Sequence, residues 1–200
     1  MASEAVAVTQ QVVALLEALN ISYVIGGSMA STAHGRIRAT MDVDIVVQLE
    51  AGHVTPFIAG LGDEFYAEEA AIRDAIARQR SVNLIHYATM FKVDLFVAGS
   101  RSFDQIQLDR RQAVLLEPPD HFAYVATAED TILAKLDWYR RGGESSERQW
   151  QDIQGILDVQ GTLLDRSYLR QWAAVLAVSD LLEQAINDYE NRVQPMDDAS

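Results

Sequence analysis

The sequence predicts an α+β protein: a mixed sheet flanked by helices, followed by a helical C-terminal subdomain. Three observations lead there. Short runs rich in β-branched residues crowd the first half, at 23–25, 42–47, 82–86, 90–97 and 112–116. Segments with apolar residues at helical spacing are interleaved with them. Beyond the breaker Pro118-Pro119 only helical spacing is left. The expected division is an α/β domain over 1–118, a helical domain over 119–193 and a flexible tail over 194–200.

The first element is an amphipathic helix over 3–19, on Val8, Val12, Leu15, Leu16 and Leu19, and Asn20 ends it. Tyr23 to Ile25 then leads into Gly26-Gly27-Ser28, and Met29 to His34 reads as helix. Asp42 to Val47 alternates as Asp-Val-Asp-Ile-Val-Val, which is a strand. Helices are expected at 53–61 and 67–80. Val82 to His86 and Met90 to Val97 form a hairpin candidate joined by Tyr87-Ala88-Thr89. In the second half Thr127 caps a helix running to about Arg141, where Gly142-Gly143 stops it. Three more helices follow, near 146–159, 165–178 and 180–191. Trp138, Trp150 and Trp172 fall on them and are expected in the core.

Composition narrows the function. The chain has 200 residues, 49% of them hydrophobic, which suffices for a sizeable core. The absence of cysteine excludes disulfides, thiolate zinc sites and a cysteine nucleophile. No apolar run is long enough to span a bilayer, so no membrane partner is expected. The start, Met1-Ala2-Ser3-Glu4, lacks the pattern of a secretion signal, and a cytoplasmic protein is the expectation. With 29 acidic against 16 basic residues the net charge is −13, which repels a polyanion. An extended nucleic-acid surface is therefore not expected. The four histidines, 34, 53, 86 and 121, have no metal-ligand spacing.

One pattern in the first half carries chemistry. Side chains alternate along a strand, so Asp42 and Asp44 share a face, about 7 Å apart at Cα. Val43, Ile45 and Val47 turn the other way, into a core. Two adjacent carboxylates repel one another, and a hard divalent cation such as magnesium reverses that penalty. The plain alternative is that both sit at a solvated strand entrance. Asp94, in Phe91-Lys92-Val93-Asp94-Leu95-Phe96, shares a face with Lys92, and taken alone it reads as an ordinary surface ion pair. Gly26-Gly27-Ser28 lies between a strand and a helix, where backbone N–H groups favour an anion. Residues 26–30 also read as Gly-Gly-Ser-Met-Ala, close to a serine-hydrolase elbow, which leaves the paired aspartates without a role.

Taken together these pieces resemble the DNA polymerase β-like nucleotidyltransferase superfamily. The likeness rests on Ile25-Gly26-Gly27-Ser28, thirteen intervening residues, Asp42-Val43-Asp44-Ile45, and Val93-Asp94-Leu95 on a later strand. It covers about the first hundred residues. It implies a nucleotidyltransferase-type fold in which Gly26, Gly27 and Ser28 hold the triphosphate. Asp42, Asp44 and Asp94 would bind magnesium, or manganese in its place, with Asp94 a ligand or a base toward the acceptor. A hydroxyl acceptor, whether small molecule, protein or tRNA, attacks the α-phosphorus of a nucleoside triphosphate and pyrophosphate leaves. A fainter likeness joins Glu129 to Leu136, with Arg148 and Asp152, to AbiEii-type and related bacterial nucleotidyltransferases. It implies that Lys135 and Asp152 face the nucleotide. The alternative is that the two pair and fix their helices. Arg36 and Arg38, just ahead of Asp42, are further candidates for the triphosphate. The rival to the enzyme is a degenerate member acting as a binding module or toxin–antitoxin component. An aminoglycoside-modifying enzyme, with a cationic acceptor, is a third reading.

Overall fold

The computed structural model describes residues 4–36, 40–119 and 121–193. Arg38 and the 194–200 segment lie outside these. The chain divides into two compact units, one from the described residues of 1–30 and 39–126, the other from those of 31–38 and 127–200.

The first unit is built on a seven-stranded mixed sheet. Its strands are β1 (Tyr23–Ile25), β2 (Asp42–Val47), β3 (Phe65–Tyr66), β4 (Ser81–His86), β5 (Lys92–Val97), β6 (Gln112–Glu117) and β7 (His121–Val125). Their spatial order is β3-β4-β5-β2-β1-β7-β6. Both β2 with β5 and β1 with β7 run parallel, and the remaining neighbours are antiparallel. The helices of this unit are α1 (Glu4–Ala18), α3 (Val54–Leu61), α4 (Glu69–Arg78) and α5 (Ser102–Arg110), with the start of α2 (Gly27–His34).

Period-two alternation sorts the strand side chains. Val43, Ile45 and Val47 of β2 join Val93, Leu95 and Val97 of β5 in one core with Val12 and Leu16 of α1, Phe57 of α3 and Ile72 of α4. Tyr23 fixes α1 and β7 to this core. Its hydroxyl donates to Glu17 and accepts from the Tyr124 backbone N–H, and burial pushes the phenol well above its usual range. A smaller cluster, Val24, Leu108 and Ala126 with Val46 and Ala98, covers part of the other sheet face beneath α5.

The sheet-bearing unit continues to Ala126 rather than stopping at residue 118. The strand beyond the prolines, β7, alternates outward Phe122 and Tyr124 with buried Ala123 and Val125, and pairs with both β6 and β1.

In the second unit α6 (Ala128–Arg141), α7 (Glu147–Gln160), α8 (Arg166–Val175) and α9 (Ser179–Val193) enclose Ile132, Leu136, Ile153, Leu169, Leu182 and Ile186. Capping explains three of the helix starts. Thr127, Ser146 and Asp165 each accept a hydrogen bond from the backbone N–H three residues on. The tryptophans are not core residues. Trp138 is 48% exposed, and Trp150 and Trp172 are half-buried at helix edges. An indole needs a partner for its N–H, and Trp150 finds Asp188 at 3.3 Å. None of the described helices is long and apolar enough to cross a membrane.

Candidate active site

In-register pairing of β2 and β5 brings the three aspartates onto one sheet face. The register sets Asp42 opposite Lys92 and Asp44 opposite Asp94. Adjacent strands lie about 4.8 Å apart, and register partners project to the same side. All three aspartates are half-buried, and the alternate residues, Val43, Ile45, Val93 and Leu95, are within the core.

Like charges so placed disfavour each other. Burial and then the charge of Asp42 push the Asp94 carboxyl above its usual range, and Lys92 pulls it down. The consequence for stability has a definite sign. A carboxyl whose folded pKa is raised gives its full stability below the unfolded value of 3.8 and loses it as pH climbs through the folded value. Asp94→Asn is therefore expected to melt higher than the parent at neutral pH without added cation. The gain should shrink as the pH approaches 3.8. Thermal melts at both pH values check this, and a gain that grows on acidification contradicts it.

Two neutral donors hold the outer carboxylates. Asp42 Oδ1 accepts from Thr40 Oγ1 at 2.7 Å, and Asp94 Oδ1 accepts from Asn83 Nδ2 at 2.5 Å. Such donors orient a carboxylate without cancelling its charge. Three hard oxygen donors on one face suit a divalent cation by type. As placed, however, they do not close on a single point: among the described residues no three His, Asp or Glu side chains are grouped to hold a metal.

The glycine turn touches this row. Gly26 N donates to the Asp44 carbonyl at 2.8 Å, and Ala30 N returns to the Gly26 carbonyl at 3.1 Å as α2 begins. Gly27 has φ +53°, and a Cβ on it would stand 1.7 Å from Asp44 Oδ2. No side chain fits between that backbone and the carboxylate. Gly26, by contrast, has open space where a Cβ would point. Gly27→Ala is expected to destabilise by about 1–3 kcal/mol through strain and displacement of Asp44. Gly26→Ala should cost clearly less. Equal melting temperatures for the two variants would contradict this geometry. Ser28 is half-buried in the first turn of α2.

The second-unit candidates are placed as follows. Lys135 Nζ on α6 pairs with Asp152 Oδ2 on α7 at 2.8 Å, with side chains only 9% and 10% exposed. Arg36, 78% exposed, pairs with Asp158 of α7 at 2.9 Å, and Arg192 of α9 holds the other oxygen of Asp158. Gly35 lets this segment lie close to α7, since a Cβ there would meet the Gly155 backbone at 3.0 Å.

Thr40 and Asn83 escaped the sequence reading. Asn83 was within reach of it. Centring the expected hairpin turn near residues 88–89 puts Asn83 opposite Asp94, as the observed register does.

No protein-family model and no curated protein matches the sequence. Solved structures do. The crystal structure of an antigenic nucleotidyltransferase-like protein from Paracoccidioides brasiliensis aligns over 94% of both chains at 17% identity, with a TM-score of 0.48. The solution structure of antibiotic-resistance factor ANT(2'')-Ia aligns over 94% of this chain and 97% of that one, at 11% identity and a TM-score of 0.50. At 11% identity that second likeness speaks to the fold alone: this α+β chain, with its mixed sheet and its helices, is similar in fold to ANT(2'')-Ia.

Proposed function

We propose that the chain is a magnesium-dependent nucleotidyltransferase, moving a nucleoside monophosphate from a triphosphate to an acceptor hydroxyl. One observation carries this reading. Asp42, Asp44 and Asp94 share a sheet face, and the Gly27 backbone rests against Asp44. Three carboxylates beside a glycine turn at a helix start are what the resemblance implies for such a site.

Each part then has a task. Asp42, Asp44 and Asp94 are the residues that would hold the cation, which when bound supplies charge neutralisation at the phosphates. The turn at Gly26 to Ser28 places the positive N-terminal end of α2 toward the triphosphate, fixing its orientation. The acceptor oxygen bonds to the α-phosphorus as the bond to the pyrophosphate oxygen breaks. The hydroxyl proton leaves to water, Asp94 serving with the other two carboxylates as a ligand. A net charge of −13 favours a small or cationic acceptor over an extended nucleic acid.

A second reading, a catalytically silent module of the same fold, has one observation in its favour. Lys135 is committed to a buried ion pair with Asp152, as a residue that merely joins two helices would be. Transfer assays decide between the two. Each nucleoside triphosphate, labelled at the α-phosphate, is offered with magnesium and separate pools of small-molecule, protein and tRNA acceptors. Label moved to an acceptor by the parent and not by Asp44→Asn supports the enzyme. No transfer from any nucleotide to any pool supports the module.

A further inference from the structure

Resting on the reading that the three aspartates bind a divalent cation, we propose that Asn83 is a positioning residue. Its amide holds one oxygen of Asp94 and so fixes which oxygen is left for the cation. The register makes a single row across three adjacent strands: Asp44 of β2 faces Asp94 of β5, which faces Asn83 of β4. Asn83 Nδ2 donates to Asp94 Oδ1 at 2.5 Å. The orientation follows from chemistry. An ionised carboxylate only accepts, so the amide must present its N–H. With Oδ1 drawn toward β4, Oδ2 diverges from it, away from β4, and β5 has β2 on its other side.

The residue type is informative. A lysine at position 83 would tie Asp94 equally well but cancel the charge a cation needs. An aspartate would add repulsion, and an apolar residue would leave Asp94 free to choose its rotamer. An amide orients without neutralising. Nor does the core need Asn83, which is exposed while its neighbours Val82 and Leu84 are buried. Partners of this kind behind a ligand carboxylate typically change metal affinity tenfold to a hundredfold. Thr40 stands to Asp42 in the same relation, at 2.7 Å.

The test is a titration of the full chain with Mn2+, reading free ion by electron paramagnetic resonance, beside thermal melts. Asn83→Ala is expected to weaken Mn2+ binding by about tenfold or more with an unchanged melt. Asn83→Gln, which keeps an amide donor on a longer arm, should recover most of that loss. Asp94→Asn is the reference and should weaken binding at least as much. If Asp94→Asn weakens binding and Asn83→Ala does not, the positioning role is wrong and the cation site stands. The role is also overturned if Asn83→Gln binds as poorly as Asn83→Ala, or if the loss in Asn83→Ala tracks a lowered melt. If Asp94→Asn binds Mn2+ as the parent does, the cation reading itself fails and the role of Asn83 goes with it.

Discussion

Asp44→Asn is expected to slow nucleotidyl transfer by roughly 10³-fold and to weaken magnesium–nucleotide binding by roughly 100-fold or more, while the protein stays folded. Residues behind a metal ligand already cost up to about 100-fold when changed, so losing a ligand's charge costs at least as much. Charge neutralisation by a metal contributes several kcal/mol to such transition states, and each 1.4 kcal/mol is about tenfold in rate, so a drop of roughly 10³-fold is expected. Folding survives because asparagine has the shape of aspartate. The contact with Gly27 is kept, and so is the backbone hydrogen bond from Gly26 N to the carbonyl of residue 44. Calorimetry with a non-hydrolysable triphosphate measures the first effect and a melt the second. Unchanged affinity in a well-folded variant would remove Asp44 from the site.

Lys135→Met should strongly destabilise the second unit. It leaves the carboxylate of Asp152, only 10% exposed, without its partner at 2.8 Å. Breaking a buried pair from one side costs about 3–5 kcal/mol, because the remaining charge stays desolvated. For a chain of this size that corresponds to a fall of roughly 10 °C in melting temperature. The double change Lys135→Met with Asp152→Leu should melt well above the single variant, since apolar residues of similar volume replace such pairs at little cost. If the double variant melts no higher than the single one, the pair is not what joins α6 to α7.

The carboxylate row was legible because the local signals agreed. In β2 and β5 strict alternation of β-branched and polar residues fixes which side chains face the core, and the observed β2 has the expected bounds of 42–47. That β2 and β5 are neighbours was expected only from the resemblance, which needs the three aspartates together, and their parallel sense was not legible. Elements with weak periodicity were missed. The two residues of β3 carry no pattern, and α5 buries only Phe103, Gln107 and Leu108, too few to mark an apolar stripe. At β7 the outward-facing Phe122 and Tyr124 obscure the alternation, so the boundary drawn at the prolines fell short of Ala126. Long-range ion pairs leave no local trace. Nothing near Arg36 announces that it meets Asp158, 122 positions away.

The central claim is that Asp42, Asp44 and Asp94 bind one divalent-cation–triphosphate complex beside the turn at Gly26 to Ser28. A crystal grown with Mn2+ and a non-hydrolysable nucleoside triphosphate, with anomalous scattering recorded for manganese, tests it most directly. The account predicts a manganese peak within about 2.0–2.3 Å of oxygens from Asp44 and at least one of the other two aspartates, with the triphosphate against Gly27 and Ser28. A manganese peak away from all three carboxylates, or a triphosphate bound elsewhere on the chain, would contradict it.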